Sequence, residues 1–251
     1  MTVEFQVAGQ SFTALNGGPF FKANPSISFT ARCTSREEVD RLWKAFSDGG
    51  RALMELGTYP FSEHYGWIQD RFGISWQIML MGDRPFAQKI VPTLMYVGAV
   101  AGKAEEAMGR YVSIFPDSKI DGVMRYGAGE APDAEGTVKH AGFTLAGQAF
   151  AAMDSAHKHG FFFNEGISLV VRCKDQAEID RLWDALREGG DPKAQQCGWL
   201  KDKYGVSWQI VPESMDDMLR NGSKEANERA MAAMLQMRKL DIAALEKVAK
   251  G

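Results

Sequence analysis

The sequence predicts an α+β fold built from repeated βαβββ units. They form two tandem modules, the first incomplete at its N-terminal side, followed by a helical tail. Three observations carry this reading. Residues 24–50 align without gaps on residues 164–190, with 13 of 27 positions identical, and residues 67–78 align on 199–210, with 7 of 12 identical. Upstream, Gly9-Gln10-Ser11-Phe12 lies opposite Gly147-Gln148-Ala149-Phe150. The second copy is preceded by about 50 residues, Ile90 to Val138, that have no counterpart in the first, so Met1 falls opposite Lys139 at the start of a strand. The expected domains are an incomplete module over 1–82, a complete module over 90–212 and a tail over 213–251.

Each copy opens with two strands, Val3 to Val7 and Ser11 to Leu15, matched by Ala141 to Leu145 and Ala149 to Met153. A loop rich in Gly and Phe leads to an alternating strand, Ile27 to Arg32 or Ile167 to Arg172. A helix start follows, marked by capping-box spacing in Ser35-x-x-Glu38 and Asp175-x-x-Glu178. Val39, Leu42, Trp43 and Phe46 make one apolar helix face, and Ile179, Leu182, Trp183 and Leu186 the other. Both helices stop at a Gly-Gly pair, where a left-handed residue ends a helix at little cost. A hairpin closes each copy, around Asp70 to Gly73 and Asp202 to Gly205. Ahead of the second copy, Ile90 to Val97 reads as a strand, Lys103 to Phe115 as a helix and Ser118 to Tyr126 as a strand. The tail reads as a helix over Glu225 to Met237 and a further turn capped by Asp241. Its methionines suit either an adaptable binding groove or, more simply, packing against a sheet edge or a second copy.

Composition limits the function. A net charge of −3 over 251 residues, with 24% charged residues, argues against nucleic acid, whose binders carry a basic stripe. No apolar run reaches the ~20 residues of a membrane span, and the N-terminus lacks the basic and apolar regions of a signal peptide. Cys33 and Cys173 occupy the same repeat position, so they are not two halves of one bridge. With Cys197 they make an odd set that fits the reducing cytoplasm.

Leu15-Asn16-Gly17-Gly18-Pro19, Cys197-Gly198-Trp199-Leu200-Lys201-Asp202 and the twice-used Tyr/Phe-Gly-Val/Ile-Ser-Trp-Gln-Ile resemble the PhnB-like branch of the vicinal oxygen chelate superfamily, which includes glyoxalase I, bleomycin-resistance proteins and extradiol dioxygenases. The segments Ala104 to Met108, Tyr111 to Ser118 and Ala233 to Leu245 resemble it as well. The branch often carries the label 3-demethylubiquinone-9 3-methyltransferase. No strand followed by a Gly-rich loop and an acidic residue suited to S-adenosylmethionine accompanies that label here. The resemblance implies cup-shaped mixed sheets, the glyoxalase/bleomycin-resistance fold, with the first module lacking its opening strand, helix and next strand. An edge left bare in this way invites pairing, hence a homodimer.

Superfamily enzymes hold a divalent metal in the cup on His and Glu side chains. Carried over by position, those slots fall near Pro92, Ala152 or Met153, Gly166 or Ile167, and Gln209, with Gln77 in the first copy. None is an imidazole or carboxylate, the donors such sites need, so no metal and no other cofactor is expected. His157-x-His159 and Glu63-His64 read as polar loop residues and His140 as structural. The expected ligand-binding residues are Asp154, Asn164, Ser168, Cys197, Trp199 and Gln209, with Asn16, Asn24, Ser28, Trp67 and Gln77 in the first copy. By the carry-over Gln209 faces inward, so Trp208 packs against a helix.

The leading expectation is a small-molecule binder with a metal-free cavity. One alternative is an enzyme, metal-dependent or using Asp154, Cys197 or Glu63-His64; the other is an assembly role through the open edge and the Met-rich tail. Partners are a small-molecule ligand and a second copy, with neither nucleic acid nor membrane.

Overall fold

The structure, a computed structural model, describes residues 2–250. It divides into two compact units, Met1–Gly166 and Ile167–Gly251.

The first unit begins with the antiparallel hairpin β1 (Thr2–Val7) and β2 (Gln10–Leu15). Ala8 and Gly9 both take positive φ at its tip, as a two-residue turn matching strand twist requires. Eight further strands make one sheet: β3 (Ile27–Cys33), β4 (Arg51–Tyr59), β5 (Ser62–Gln69), β6 (Ser75–Leu80), β7 (Ile90–Val97), β8 (Lys119–Arg125), β9 (Val138–Leu145) and β10 (Gln148–Ser155). Their order is β4-β5-β6-β3-β7-β10-β9-β8. Helix α1 (Arg36–Ser47) follows β3, and α2 (Ala104–Ile114) follows β7. The sheet therefore contains two βαβββ units, β3-α1-β4-β5-β6 and β7-α2-β8-β9-β10. Within each, the first and last strands pair in parallel, and the units meet along an antiparallel β3–β7 seam.

This arrangement differs from the expected grouping of 90–212 as one module. The opening half of the second copy completes its sheet with the closing half of the first. The linker supplies the physical reason. It spans only nine residues, 81–89, and both its ends are tied to β3, through Met81 N to Cys33 O and Lys89 O to Arg32 N, each 2.9 Å. So short a connection sets β7 beside β3. The equivalent loops are also stapled reciprocally: Asn24 Nδ2 donates to Phe162 O and Asn164 Nδ2 to Lys22 O, both 3.0 Å.

Both helices cover the same face of this sheet. Under α1, Cys33, Val39, Ile68 and Ile78 are buried, with Leu42, Trp43, Phe46 and Trp76 packed against them. Gly66 lets Trp43 lie flat on β5, because a Cβ there would stand 2.7 Å from the ring's Cε3. Ser35 caps α1 by accepting from Glu38 N at 3.3 Å, while Glu38 Oε2 reaches back to Thr34 N at 3.0 Å, one residue beyond the usual capping-box target.

The second unit holds β11 (Ser168–Cys173), α3 (Gln176–Arg187), β12 (Trp199–Lys201) and β13 (Ser207–Pro212), with strand order β11-β13-β12. The capping is reproduced through Asp175 and Glu178. The closing unit here is βαββ, not the expected βαβββ. Eight fewer residues separate helix and hairpin, and a 3₁₀ turn over Pro192–Ala194 stands where β4 runs in the first copy. The tail forms α4 (Met215–Arg220), a helix not anticipated, then α5 (Lys224–Leu235) and α6 (Ile242–Lys250). It packs back on its own unit. Met237 O and Arg238 O accept from Cys197 N and Gly198 N at 2.8 Å, and Lys239 pairs with Asp180 at 2.6 Å.

Candidate functional site

With α1 and α2 on one face of the eight-stranded sheet, the opposite face carries no helix of this unit among the described residues. Strand alternation decides what stands there. On β3, Phe29, Ala31 and Cys33 turn toward α1, so Ser28, Thr30 and Arg32 turn the other way. Their cross-strand partners on that face are Ser75, Gln77 and Met79 of β6, and Ser28 also faces Thr93 of β7. On β9, Ala141, Phe143 and Leu145 are buried beneath α2, which places His140, Gly142 and Thr144 on the uncovered face.

A polar network lines the centre of this face. Gln77 Nε2 donates to Ser28 Oγ at 2.9 Å, and Tyr65 OH donates to Gln77 Oε1 at 2.8 Å. Thr30 and Thr93 share a hydroxyl contact of 2.9 Å across the seam. All of these side chains are buried. Burial raises the Tyr65 phenol well above its ordinary range, so it acts as a hydroxyl donor. Tyr59, Phe61 and Tyr65 form an aromatic wall, with ring centroids 4.9 to 5.8 Å apart.

Beside the network stand three cationic or titratable side chains: Arg32, Arg84 and His140. Arg84 donates to the carbonyls of Met81, Leu80 and Phe61. Arg84 lies close enough for its charge to act on Arg32, and both act on His140. Burial is the larger effect on Arg32 and lowers its pKa, with Arg84 adding to it. His140 is likewise lowered by burial first, then by the two guanidinium groups. Yet the His140 side chain remains accessible to water.

The expected site residues separate into distinct groups. Ser28 and Gln77 meet, and Trp67 lies beside Gln77 as its cross-strand partner, its Nε1 donating to Ser75 Oγ at 2.7 Å. The second unit repeats the pattern: Gln209 Nε2 donates to Ser168 Oγ at 2.8 Å, and Trp199 faces Gln209 across β12 and β13. Trp76 and Trp208 stand on the opposite faces, with their Nε1 atoms on Asp70 and Asp202 at 3.0 and 2.9 Å. Trp76 stacks on Phe46 of α1.

The remaining residues are placed elsewhere. Asn24 and Asn164 are loop staples, their Oδ1 atoms accepting from Ser26 N and Gly166 N. Asn16 lies in an exposed loop. Asp154 points to the helix side of β10. Its Oδ1 accepts from Ala104 N and its Oδ2 from Val138 N, both at 3.0 Å, which anchors the start of α2. Burial raises its pKa, outweighing the pull of the surrounding backbone N–H groups. Cys197 takes a positive φ of 54° at the bend before β12, and burial raises its thiol pKa, opposite to what a reactive thiolate requires.

The other titratable candidates resolve similarly. Glu63 and His64 are neighbours on strand β5, not in a loop, and they take different partners. His64 Nε2 contacts Asp40 Oδ1 at 2.7 Å and Glu63 pairs with Arg36 at 3.4 Å. They do not form one acid–base pair. His159 Nε2 lies 2.7 Å from Ser155 Oγ, and His157 lies 3.7 Å from Asp133. His140, read from sequence as structural, stands on the uncovered face.

The metal slots also receive a physical test. In the first copy both polar ends of the Gln77 amide are spent on Ser28 and Tyr65, and an amide is a poor donor for a divalent ion. Among the described residues, no group of three His, Cys, Asp or Glu side chains converges as metal ligands. This donor set does not fit a chelate-type metal centre. Nor is any helix among the described residues long and apolar enough to cross a membrane. An apolar groove of about 620 Å³ lies in the helical tail, along Leu219, Met231 and Leu235.

Comparison with known proteins places this geometry in a family. The family model described as 3-demethylubiquinone-9 3-methyltransferase matches residues 1–79 and 88–211. The PhnB protein from Bacillus cereus is 44% identical over 50% of this chain and 99% of its own, with a TM-score of 0.44. A protein from Staphylococcus aureus is 35% identical over 51% of this chain and all of its own, with a TM-score of 0.23. Glyoxalase I from Zea mays is 14% identical over 80% of this chain and 73% of its own, with a TM-score of 0.48. No curated protein matches the chain. The chain belongs to the family described as 3-demethylubiquinone-9 3-methyltransferase, the PhnB-like branch of the vicinal oxygen chelate superfamily.

Proposed function

We propose that this protein binds a small molecule on the uncovered face of the eight-stranded sheet, without a divalent metal. The observation that carries the reading is the concentration of polar and aromatic groups on the sheet face opposite α1 and α2. Tyr65, Gln77 and Ser28 form one hydrogen-bonded chain there and Thr30 and Thr93 a separate pair, with Arg32, Arg84 and His140 beside them. A concavity with a few convergent polar groups is the usual form of a ligand site. Acid–base chemistry through Asp154, Cys197 or Glu63-His64 finds no support in their hydrogen bonding or thiol chemistry. The test is a thermal-shift screen of small molecules on the full chain, followed by amide-resonance mapping of hits. Shifts confined to β3, β5, β6 and β9 support the reading, and hits that map only to the tail groove refute it.

A second reading concerns assembly. In the first unit β3 has partners on both sides, whereas in the second its counterpart β11 pairs with β13 alone. Thr30 is 8% exposed, but the equivalent Val170 is 46% exposed. An unpaired edge of this kind recruits another strand. In this reading two copies pair β11 against β11, as β3 pairs antiparallel with β7, and make a homodimer. Light scattering of the wild type and a Val170→Lys variant tests it, since a monomeric wild type would exclude it. The three free thiols, two of them buried, suit a reducing cytoplasm.

A further inference from the structure

We propose that Arg32, Arg84 and His140 form an anion subsite, and that the ligand is a small organic anion whose aromatic or apolar body lies toward Tyr65 and Phe61. The inference rests on the proposed binding face and specifies which chemical class it takes.

Charge accounting comes first. Among the described residues, neither Arg32 nor Arg84 has a carboxylate partner. Arg84 spends its donors on backbone carbonyls, which hold the side chain in place and leave its charge uncompensated. Arg32 is half-buried, and among the described residues its guanidinium makes no hydrogen bond or ion pair. Holding Arg32 partly out of water with no counter-charge is unfavourable, and the exposed Arg84 guanidinium acting on it makes that more so. A protein that keeps such a pair holds a place for negative charge, and the planar guanidinium donors match a carboxylate or phosphate oxygen pair.

The repeat supplies an internal comparison. Arg172 is the counterpart of Arg32, at the same position of the equivalent strand. In the second unit Arg172 Nη1 reaches Asp216 Oδ2 at 3.3 Å, so its charge is matched within the protein. The chain thus neutralises the arginine in one copy and leaves it unmatched in the other, on the face where the polar network and aromatic wall converge.

His140 completes the subsite. It stands on the same sheet face, reachable by water, under the field of both arginines. That field and the surrounding protein favour the neutral imidazole, whose ring N–H is a hydrogen-bond donor to an anion. Phe61, which is exposed and packs nearly perpendicular to the buried Tyr65 with centroids 4.9 Å apart, supplies apolar surface next to its own carbonyl, on which Arg84 is anchored.

The experiment titrates the full chain with benzoate and, in parallel, with neutral benzamide of nearly the same shape. Arginine Nε–Hε and histidine ring resonances are followed by NMR. Benzoate is expected to shift Arg32, Arg84 and His140, with benzamide at least tenfold weaker. Arg32→Gln and Arg84→Gln are expected to weaken benzoate at least tenfold. Arg32→Lys should retain part of the affinity and Arg172→Gln all of it. Arg84 lies in an exposed loop, so its variant keeps the test valid should Arg32→Gln unfold. Equal binding of the two compounds at this face overturns the anion subsite and leaves small-molecule binding standing. No response of the three residues to either compound overturns both. Equal losses in Arg32→Gln and Arg172→Gln overturn the assignment to this copy.

Discussion

Gly66→Ala tests how α1 is seated on the sheet. A Cβ at Gly66 would stand 2.7 Å from Cε3 and 3.2 Å from Cη2 of Trp43, and closer still to Cζ3. Carbon atoms pack comfortably at about 3.5–4.0 Å, so the indole or strand β5 must shift by roughly 1 Å. Trp43 packs on the cluster of Cys33, Val39, Ile68 and Ile78 and cannot move without disturbing it. Overpacking of this kind costs about 1–3 kcal/mol. Glycine inside a strand is itself unfavourable by about 0.5–1 kcal/mol relative to alanine. The clash therefore conceals a gain, and removing the indole should reveal it. Gly66→Ala is expected to destabilise the wild type by about 2 kcal/mol, but to be neutral or stabilising in a Trp43→Ala background. Urea denaturation of the four proteins closes the cycle. Equal losses in both backgrounds would refute the reasoning. In the second copy, Gly198 is constrained differently: its φ is 83° and its Cβ would meet Ile210 O at 2.9 Å, so removing Trp183 should give Gly198→Ala no relief.

Other expected outcomes follow the same physics. Gln77→Leu strands the buried Tyr65 hydroxyl and Ser28 Oγ and should cost about 1–3 kcal/mol in urea denaturation; an unchanged midpoint would show the network to be idle. The Cys33 and Cys173 thiols, pushed up to about 11 and about 12 mainly by burial, should react with iodoacetamide at pH 8 far more slowly than a free thiol, as read by intact mass. His140 and His159 are both lowered, chiefly by burial, so the unfolded chain binds their protons first as pH falls. Stability should thus decline as pH drops through about 6.5, the unfolded value, and His140→Gln should flatten part of that slope. A slope unchanged in His140→Gln would remove that residue from the account.

Much of the fold was legible because it depends on local patterns. Ser35, Asp175, Glu38 and Glu178 mark the helix starts, Gly49 and Gly189 take positive φ where the helices stop, and strand alternation separates Gln209 from Trp208. The partnering of the units was not legible. The β3–β7 seam depends on a nine-residue linker and on Asn24 and Asn164, which from sequence resemble pocket residues because polar loop side chains give no sign of their partners. Asp154 was misplaced for a related reason: alternation is visible in sequence, but which face a helix covers is not. Strand β4 lay in residues that sequence comparison treats only as an insertion. Arg32 drew no attention because Arg172 repeats it, and only the structure shows that one has Asp216 as a partner and the other has no counter-charge. Arg84 lies in the linker and His140 at a strand position, neither with a motif to mark it.

The most direct test of a metal-free ligand face is elemental analysis by plasma mass spectrometry on the full chain purified without a His-tag, with the intact mass recorded on the same sample. The slots occupied by Pro92, Met153, Gln77 and Gln209 predict substoichiometric zinc, nickel, iron and manganese. One equivalent of any of these, lost together with ligand binding on chelation, would contradict the account and make a chelate-type centre the leading explanation.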